Sequence, residues 1–190
     1  MKHVIIYGGA FNPPTLAHQE ILHTCIQEAK EKNGEIWILP SGSRSDKSIV
    51  LSDENRIRML VALIGENTDR VKIEDYELTK KKLTETYDTV RYFADTYPDT
   101  EFTWVFGSDS INTMKEWKCG VVMWDELKML IVNRPGHQVH EMPPGAKIID
   151  TQCGQMSSTM VRSLLSKQQT VSHLVPHAVL EVIREYDIIY

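Results

Sequence analysis

Residues 4–18 read V-I-I-Y-G-G-A-F-N-P-P-T-L-A-H, and this stretch carries the strongest signal for the fold. Its first four residues are apolar, without alternation, which is typical of a strand covered on both faces. A Gly-Gly pair follows, and from Ile21 to Ala29 apolar residues recur at helical spacing. A strand, a glycine turn and a helix in this order predict the first unit of a parallel sheet.

The rest of the chain continues this alternation of short apolar runs and amphipathic segments. Further runs share the character of the first and are predicted to be strands, at residues 35–39, 71–75, 102–106, 129–132 and 147–150. The amphipathic segments predict helices that start after Ser52, near Val90, near Ser158 and after Pro176.

This order predicts an α/β fold, a Rossmann-like doubly wound parallel sheet of about six strands with helices on both faces. We expect a single domain over residues 1–190, with a small C-terminal helical part over about residues 157–190. Residues 41–50, 107–124 and 135–145 lack a regular pattern and are predicted to be loops.

Composition narrows the class of protein. The net charge of −5 shows no basic excess, which argues against binding of nucleic acid or an anionic membrane through a general field. No apolar run approaches the roughly 20 residues that span a bilayer. Three cysteines without metal-type spacing indicate reduced thiols, and we expect a cytoplasmic location.

The loop after the first strand is a candidate anion site, since ligands of such sheets bind beyond the carboxyl ends of the strands. Gly8 and Gly9 allow close approach and positive φ, and Pro14 can open the next helix. N–H groups and the dipole at a helix start favour a phosphate. Thr15 and His18 share one face of the first turn, so both are expected to face the same anion. A glycine turn with a packed or capping His18 is the alternative.

A second candidate anion site lies after the last predicted strand. Ser157 or Ser158 can cap a helix, and Arg162 follows Ser158 by four residues on the same helical face. Hydroxyls, free N–H groups and a guanidinium would converge at this helix start. An ordinary N-cap with a solvated arginine is the alternative.

Together with five stretches between and after them, these two segments resemble the motifs of one family. The stretches that carry the resemblance are residues 8–18, 84–90, 107–109, 117 with 124–127, 132–136, 157–162 and 174–176. In this order, over nearly the whole chain, they resemble the bacterial nicotinate mononucleotide adenylyltransferases. Those proteins belong to the nucleotidyltransferase superfamily that carries an (H/T)xGH signature.

The resemblance implies transfer of AMP from ATP to nicotinate mononucleotide, which gives deamido-NAD and pyrophosphate in NAD biosynthesis. ATP and nicotinate mononucleotide would be the partners, and a homo-oligomer is possible. Mg²⁺ would accompany ATP, bridging phosphate oxygens and keeping most of its waters. No residue is assigned as a metal ligand, because the chain shows no dedicated carboxylate cage.

The resemblance also implies roles for particular residues. The catalytic residues would be His18, Thr15, Lys47 and Arg162. ATP would be bound by Gly8, Gly9, Ala10, Phe11, His18, Gly107, Asp109, Arg134, Ser157, Ser158, Thr159 and Arg162. The mononucleotide would be bound by Thr86, Asp109 and Trp117, with Asp109 on a ribose hydroxyl and Trp117 on the pyridine ring.

Several of these side chains also have a purely structural interpretation. Trp117 is then a core or lid residue, Arg134 a surface arginine and Lys47 one of several loop charges. Asp88 is expected to be a polar position on an exposed helix face, and Arg56 to lie in a solvated helix start.

Three residues depart from the family pattern. Thr15 stands where the family usually has histidine, whereas the sister pantetheine-phosphate adenylyltransferases have threonine there. Ala17 replaces a glycine. Glu85 replaces a tyrosine near the mononucleotide. The changes at Thr15 and Ala17 bear on the catalytic rate, and the change at Glu85 bears on which acceptor is preferred. Nicotinamide mononucleotide or a pantetheine-phosphate-like ester is therefore an alternative acceptor, and an inactive nucleotide-binding module is a third hypothesis.

Overall fold

The computed structural model describes residues 1–42, 49–80, 83–134, 136–149, 151 and 156–188. Its strands are β1 (Lys2–Gly9), β2 (Glu35–Pro40), β3 (Val71–Ile73), β4 (Thr100–Gly107), β5 (Lys128–Val132) and β6 (Ala146–Ile149). They form one parallel sheet in the order β3-β2-β1-β4-β5-β6. The predicted fold is confirmed, and each predicted strand overlaps an observed one.

The helices occupy the segments that the amphipathic patterns predict, together with two short ones. They are α1 (Leu16–Glu31), α2 (Asp53–Ile64), α3 (Thr86–Thr96), α4 (Ser108–Ile111), α5 (Gly120–Glu126), α6 (Ser158–Leu165) and α7 (His177–Glu185). Pro14 does not open α1, because Thr15 is its N-cap and Leu16 its first residue. Pro176 likewise precedes α7 as its N-cap.

The prediction of a loop over residues 107–124 is wrong. This segment holds α4, a 3₁₀ turn at Met114–Glu116 and the start of α5. The three elements span 4, 3 and 7 residues, too few for an apolar stripe to repeat. A Cβ on Gly120 would lie 1.8 Å from the Met114 carbonyl oxygen, so the compact turn requires glycine there.

The strand order places a crevice between β1 and β4. On one side of β1 lie β2 and then β3, and on the other side lie β4, β5 and β6. Ligands of doubly wound sheets bind at such a reversal, beyond the carboxyl ends of the strands. Because Gly9 pairs with Pro40 and Tyr7 with Val105, the loops after β1, β2 and β4 start at the same edge.

Alternate residues of β1 belong to different cores, as expected for a central strand. Ile5 and Tyr7 join a cluster with residues of α1, α2, α6 and α7. Val4 and Ile6 join a second cluster on the opposite face, which contains Phe93 of α3. This packing confirms that helices cover both faces of the sheet.

The described cysteines are unpaired, as expected for reduced thiols. Burial raises the pKa of the Cys25 thiol to about 12, so this residue is a neutral part of the core, whereas Cys119 is exposed. None of the helices in the described ranges is long and apolar enough to cross a bilayer.

The aromatic core provides a stability test. Phe93 is fully buried, with its ring centroid 5.8 Å from that of Trp37 and 5.9 Å from that of Trp104. We expect Phe93→Ala to lower the free energy of unfolding by about 3–5 kcal/mol, since it leaves a cavity among rigid rings. Urea denaturation measures the change. Val61→Ala, at an exposed position of α2, is the control, and a loss at Phe93 no larger than at Val61 would contradict this packing.

Candidate active site

His18 lies in the first turn of α1 and is oriented by Thr15. The Thr15 backbone N–H donates to His18 Nδ1 at 3.0 Å. Thr15 Oγ1 lies 2.8 Å from the same nitrogen. Because a backbone N–H can only donate, Nδ1 is an acceptor and the Thr15 hydroxyl donates to it. The neutral imidazole therefore carries its proton on Nε2, which makes His18 a hydrogen-bond donor at its outer nitrogen.

Thr15 itself does not face a ligand, contrary to the prediction from helical spacing. Its side chain is fully buried and is engaged with His18. The Leu16 N–H is also occupied, since it donates to the Leu174 carbonyl at 2.9 Å. The start of α1 therefore offers fewer free N–H groups than expected, and the His18 ring in its first turn is half-buried.

The Gly-Gly pair serves a packing purpose at one of its two positions. A Cβ on Gly9 would lie 3.0 Å from the Phe11 ring, which is fully buried and packs 5.2 Å from the His18 ring, centroid to centroid. Neither glycine has positive φ; Phe11 does, at 45°. A Cβ on Gly8 would meet nothing closer than the Leu39 carbonyl at 3.9 Å. Protein packing therefore does not demand glycine at position 8.

Side chains of helix α6 donate hydrogen bonds to the loop after β1. Ser158 Oγ donates to the Pro13 carbonyl at 2.8 Å, and Arg162 Nη1 donates to the Asn12 carbonyl at 2.8 Å. The other end of the Arg162 guanidinium reaches Thr159 Oγ1 at 3.2 Å. The two segments predicted as separate anion sites are thus in direct contact.

The cap of α6 is one of the two predicted serines. Ser157 is the N-cap, and its hydroxyl accepts the Met160 N–H at 3.2 Å.

Asp109 and Arg134 meet at the carboxyl ends of β4 and β5. Arg134 Nη1 lies 3.4 Å from Asp109 Oδ2, and the Arg134 backbone N–H donates to Ser108 Oγ at 2.9 Å. A Cβ on Gly107 would lie 2.4 Å from Asp109 Oδ1, so a larger residue there would displace this carboxylate from its observed position. Oδ1 is buried and has no hydrogen-bond partner within the described ranges. It is an acceptor available to a ligand hydroxyl.

The three side chains predicted to bind a mononucleotide lie on α3, on α4 and directly after the 3₁₀ turn. Thr86 is the first residue of α3, and the Trp117 ring packs edge-on against Phe106 with its N–H on Thr113 Oγ1 at 3.3 Å. Lys118 Nζ lies 2.7 Å from Asp88 Oδ1, which ties this turn to α3.

This ion pair lies at the surface. The Asp88 and Lys118 side chains are 44% and 52% exposed, so Asp88 is a polar position on the exposed face of α3, as the sequence suggested. Hydrogen bonding to Asp88 raises the pKa of Lys118.

Arg56 is the residue that sequence reasoning missed. It was expected in a solvated helix start, yet its side chain is 1% exposed. Nη1 donates to the carbonyls of Ala10 and Ser41, at 3.1 and 2.8 Å. A signal was available, because Arg56 precedes Met59 and Leu60 by three and four residues and so lies on the buried stripe.

Two other predictions concern Lys47 and metal binding. Lys47 lies outside the described residues. In the part of the chain that the structure describes, no group of three or more His, Cys, Asp or Glu side chains could hold a metal ion.

A family model described as cytidylyltransferase-like matches residues 6–164. The chain belongs to this family. A curated relative from Shouchella clausii is 31% identical over 97% of this chain and 95% of its own length, and one from Oceanobacillus iheyensis is 27% identical over 99% and 97%. Both are named "Probable nicotinate-nucleotide adenylyltransferase". These matches place the chain with the nicotinate-nucleotide adenylyltransferases, which are nucleotidyltransferases.

A solved structure shares the fold of this family member. It is the nicotinic acid mononucleotide adenylyltransferase of Plasmodium falciparum complexed with NaAD, with a TM-score of 0.85. The match is 24% identical and covers 99% of this chain and 97% of the other.

The hydrogen bond from Thr15 to His18 predicts the tautomer of the imidazole. In the neutral state, we expect His18 to carry its proton on Nε2, because Nδ1 accepts the Thr15 N–H. Long-range nitrogen–proton NMR correlations distinguish the two tautomers. The exposed His23 of the same helix serves as the reference, and an Nδ1–H tautomer at His18 would contradict the observed bond.

Proposed function

We propose that this protein transfers AMP from ATP to nicotinate mononucleotide, forming deamido-NAD and releasing pyrophosphate. The observation that carries the proposal is the joining of residues 8–18 to the start of α6 through Ser158 and Arg162. This contact brings His18 and the first turn of α6 to one loop at the switch point of the sheet. The names of the curated relatives support the same activity.

The reaction needs no covalent enzyme intermediate. A phosphate oxygen of the mononucleotide attacks the α-phosphorus of ATP, and the bond from that phosphorus to the bridging oxygen breaks. Pyrophosphate leaves with the electron pair of that bond. Catalysis then rests on positioning and on stabilisation of charge on the transferring group.

His18 is the donor that we assign to the α-phosphoryl group. Its Nε2 proton follows from the bond at Nδ1, so the ring donates without changing its protonation state. Thr15 orients the ring. The methyl of Ala17 is buried within α1, so we propose that it packs against protein.

We assign the remaining ATP contacts to residues of four other segments. At Gly8 the protein leaves room for a Cβ, whose nearest neighbour would be the Leu39 carbonyl at 3.9 Å. We propose that the phosphates lie along Gly8, Gly9, Ala10 and Phe11. The start of α6 has N–H groups that no helix carbonyl accepts, and we assign them and Arg162 to the phosphates as well. We also assign Lys47 to the outer phosphates and Arg134 to the nucleotide.

Nucleotidyltransferases of this kind typically use a divalent metal, and we propose Mg²⁺. Within the described ranges the side chains provide no metal cage, which fits an ion whose ligands are phosphate oxygens and water. Such an ion would supply charge neutralisation on the phosphates and on the leaving pyrophosphate.

For the acceptor, we assign the unpartnered Oδ1 of Asp109 to a ribose hydroxyl and Trp117 to the pyridine ring. Thr86 opens the helix on which the mononucleotide would rest. Glu85, the exposed N-cap of α3, favours a second candidate acceptor. Its negative charge at this position disfavours a ring that carries a carboxylate, so the neutral nicotinamide mononucleotide is the alternative.

The acceptor is determined by comparing kcat/KM from pyrophosphate release with ATP and Mg²⁺. We expect nicotinate mononucleotide to exceed nicotinamide mononucleotide and pantetheine phosphate, and EDTA to abolish turnover with each. Preference for nicotinamide mononucleotide would overturn the substrate assignment. ATP binding without pyrophosphate release, whichever acceptor is added, would instead indicate a nucleotide-binding module.

His18→Ala tests the assigned donor. We expect kcat to fall by roughly 10²–10³, the usual effect of removing one transition-state donor. His23→Ala is the matched control, because His23 is exposed on the same helix. Turnover of His18→Ala equal to that of the control would remove His18 from the mechanism.

A further inference from the structure

One peptide group after β2 is held at both ends by charged side chains. It is the bond between Ser41 and Gly42. Its carbonyl oxygen accepts from Arg56 Nη1 at 2.8 Å, and its N–H donates to Glu77 Oε2 at 3.3 Å. A cation thus holds the negative end of the peptide dipole and an anion the positive end.

Each of these side chains also contacts a second element of the site. Arg56 Nη1 donates to the Ala10 carbonyl, in the loop that leads to His18, at 3.1 Å. Glu77 Oε1 accepts from Thr89 Oγ1 at 2.8 Å. Thr89 is the fourth residue of α3, whose first residue we assigned to the mononucleotide.

A continuous path of hydrogen bonds therefore links the two substrate elements. It runs from the Ala10 carbonyl through Arg56, the Ser41–Gly42 peptide and Glu77 to the Thr89 hydroxyl, and we call it the Arg56–Glu77 bridge.

Most of the bridge is buried, whereas Glu77 is half-buried. Arg56 is 1% exposed, Ser41 5% and Thr89 0%. Bonds to ionised groups are stronger than neutral ones, and a buried group that loses its partner cannot turn to water. A Cβ on Gly42 would lie 2.3 Å from the Glu77 carbonyl oxygen, so the two segments also touch through backbone.

We propose that Arg56 and Glu77 are positioning residues that couple the ATP loop to the acceptor helix. In-line attack requires the acceptor phosphate and the ATP α-phosphate to be held in one geometry, and the bridge sets the distance between the elements that hold them. Binding of one substrate then orders the element that receives the other. The proposal rests on the proposed function for the identity of the two substrates.

A bridge that merely stabilises the fold would behave differently. Its loss would lower the free energy of unfolding while the folded enzyme kept its kcat and both KM values. Coupling instead requires that loss of a bond on the acceptor side changes ATP binding, although that bond touches no ATP element.

Thr89→Val isolates the bond on the acceptor side. The substitution keeps the shape of the buried side chain and deletes its donor to Glu77, and Thr96→Val at an exposed position of α3 is the control. We expect kcat of Thr89→Val to fall by at least about tenfold, since misplacement of reacting groups is costly. Values of kcat and both KM within twofold of wild type would overturn the proposal, whatever the change in stability.

Substitutions of Glu77 and Arg56 test the centre of the bridge, with Glu77→Gln as the conservative variant that should preserve kcat. Glu77→Gln keeps an acceptor for Gly42 and a group that can bond Thr89, so we expect it to retain most of the kcat that Glu77→Ala loses. Arg56→Met is compared with Arg58→Met, since Arg58 contacts Asn55 and Glu54 on its own helix. If Arg56→Met fails to fold, Thr89→Val and the comparison of Glu77→Gln with Glu77→Ala test the proposal instead. Equal kcat values for Glu77→Gln and Glu77→Ala would overturn the proposal.

A binding experiment separates failure of the bridge from failure of the proposed function. Calorimetry gives the Kd of a non-hydrolysable ATP analogue with and without nicotinate mononucleotide. We expect the mononucleotide to tighten wild-type binding by at least about fivefold, within the usual range of coupling, and Thr89→Val to remove most of this factor. This readout needs no turnover. No coupling in wild type, or the same coupling in Thr89→Val, would overturn the proposal, whereas absence of pyrophosphate release affects only the proposed function.

Discussion

The site depends on how the backbone carbonyls after β1 are satisfied. The chain turns there without regular structure, so its carbonyl oxygens need partners from elsewhere. The Ala10 carbonyl accepts a hydrogen bond from Arg56 of α2. The Asn12 carbonyl accepts one from Arg162 of α6, and the Pro13 carbonyl one from Ser158 of α6. Two helices distant in sequence thus hold one loop, and the loop in turn holds His18.

This arrangement explains how a chain of net charge −5 can offer a site for a polyanion. Three arginines at these strand ends each have defined partners: the buried Arg56 donates to the Ala10 and Ser41 carbonyls, Arg162 donates to the Asn12 carbonyl, and Arg134 pairs with Asp109. Binding then depends on local donors and helix starts, not on a general positive field. A displaced donor cannot be compensated by its neighbours, so the supporting bonds matter as much as the groups that would touch ligand.

Much of the fold and part of the site could be predicted. Apolar runs located every strand, since central strands are covered on both faces and show their burial directly in composition. The short helices α4 and α5 were not predicted, because one or two turns are too short to show a helical period of apolar residues. Thr15 was predicted to face an anion from spacing alone, yet its hydroxyl is turned to His18, because spacing assigns a helical face and not a hydrogen-bond partner. Arg56 was assigned to solvent from its charge, although its place on the apolar stripe of α2 indicated burial.

By itself, the sequence determined the alternation of strands and helices, the loops that carry the motifs and the residue types at each strand end. These properties are local, since propensity and periodicity act over a few residues. Only the tertiary structure decided that residues 8–18 and 157–162 are in contact, that one Asp109 oxygen has no hydrogen-bond partner among the described residues, and that Arg56 and Glu77 hold one peptide between them. Such contacts join residues far apart in the chain, and they exist only once the strand order brings the loop ends to one edge of the sheet.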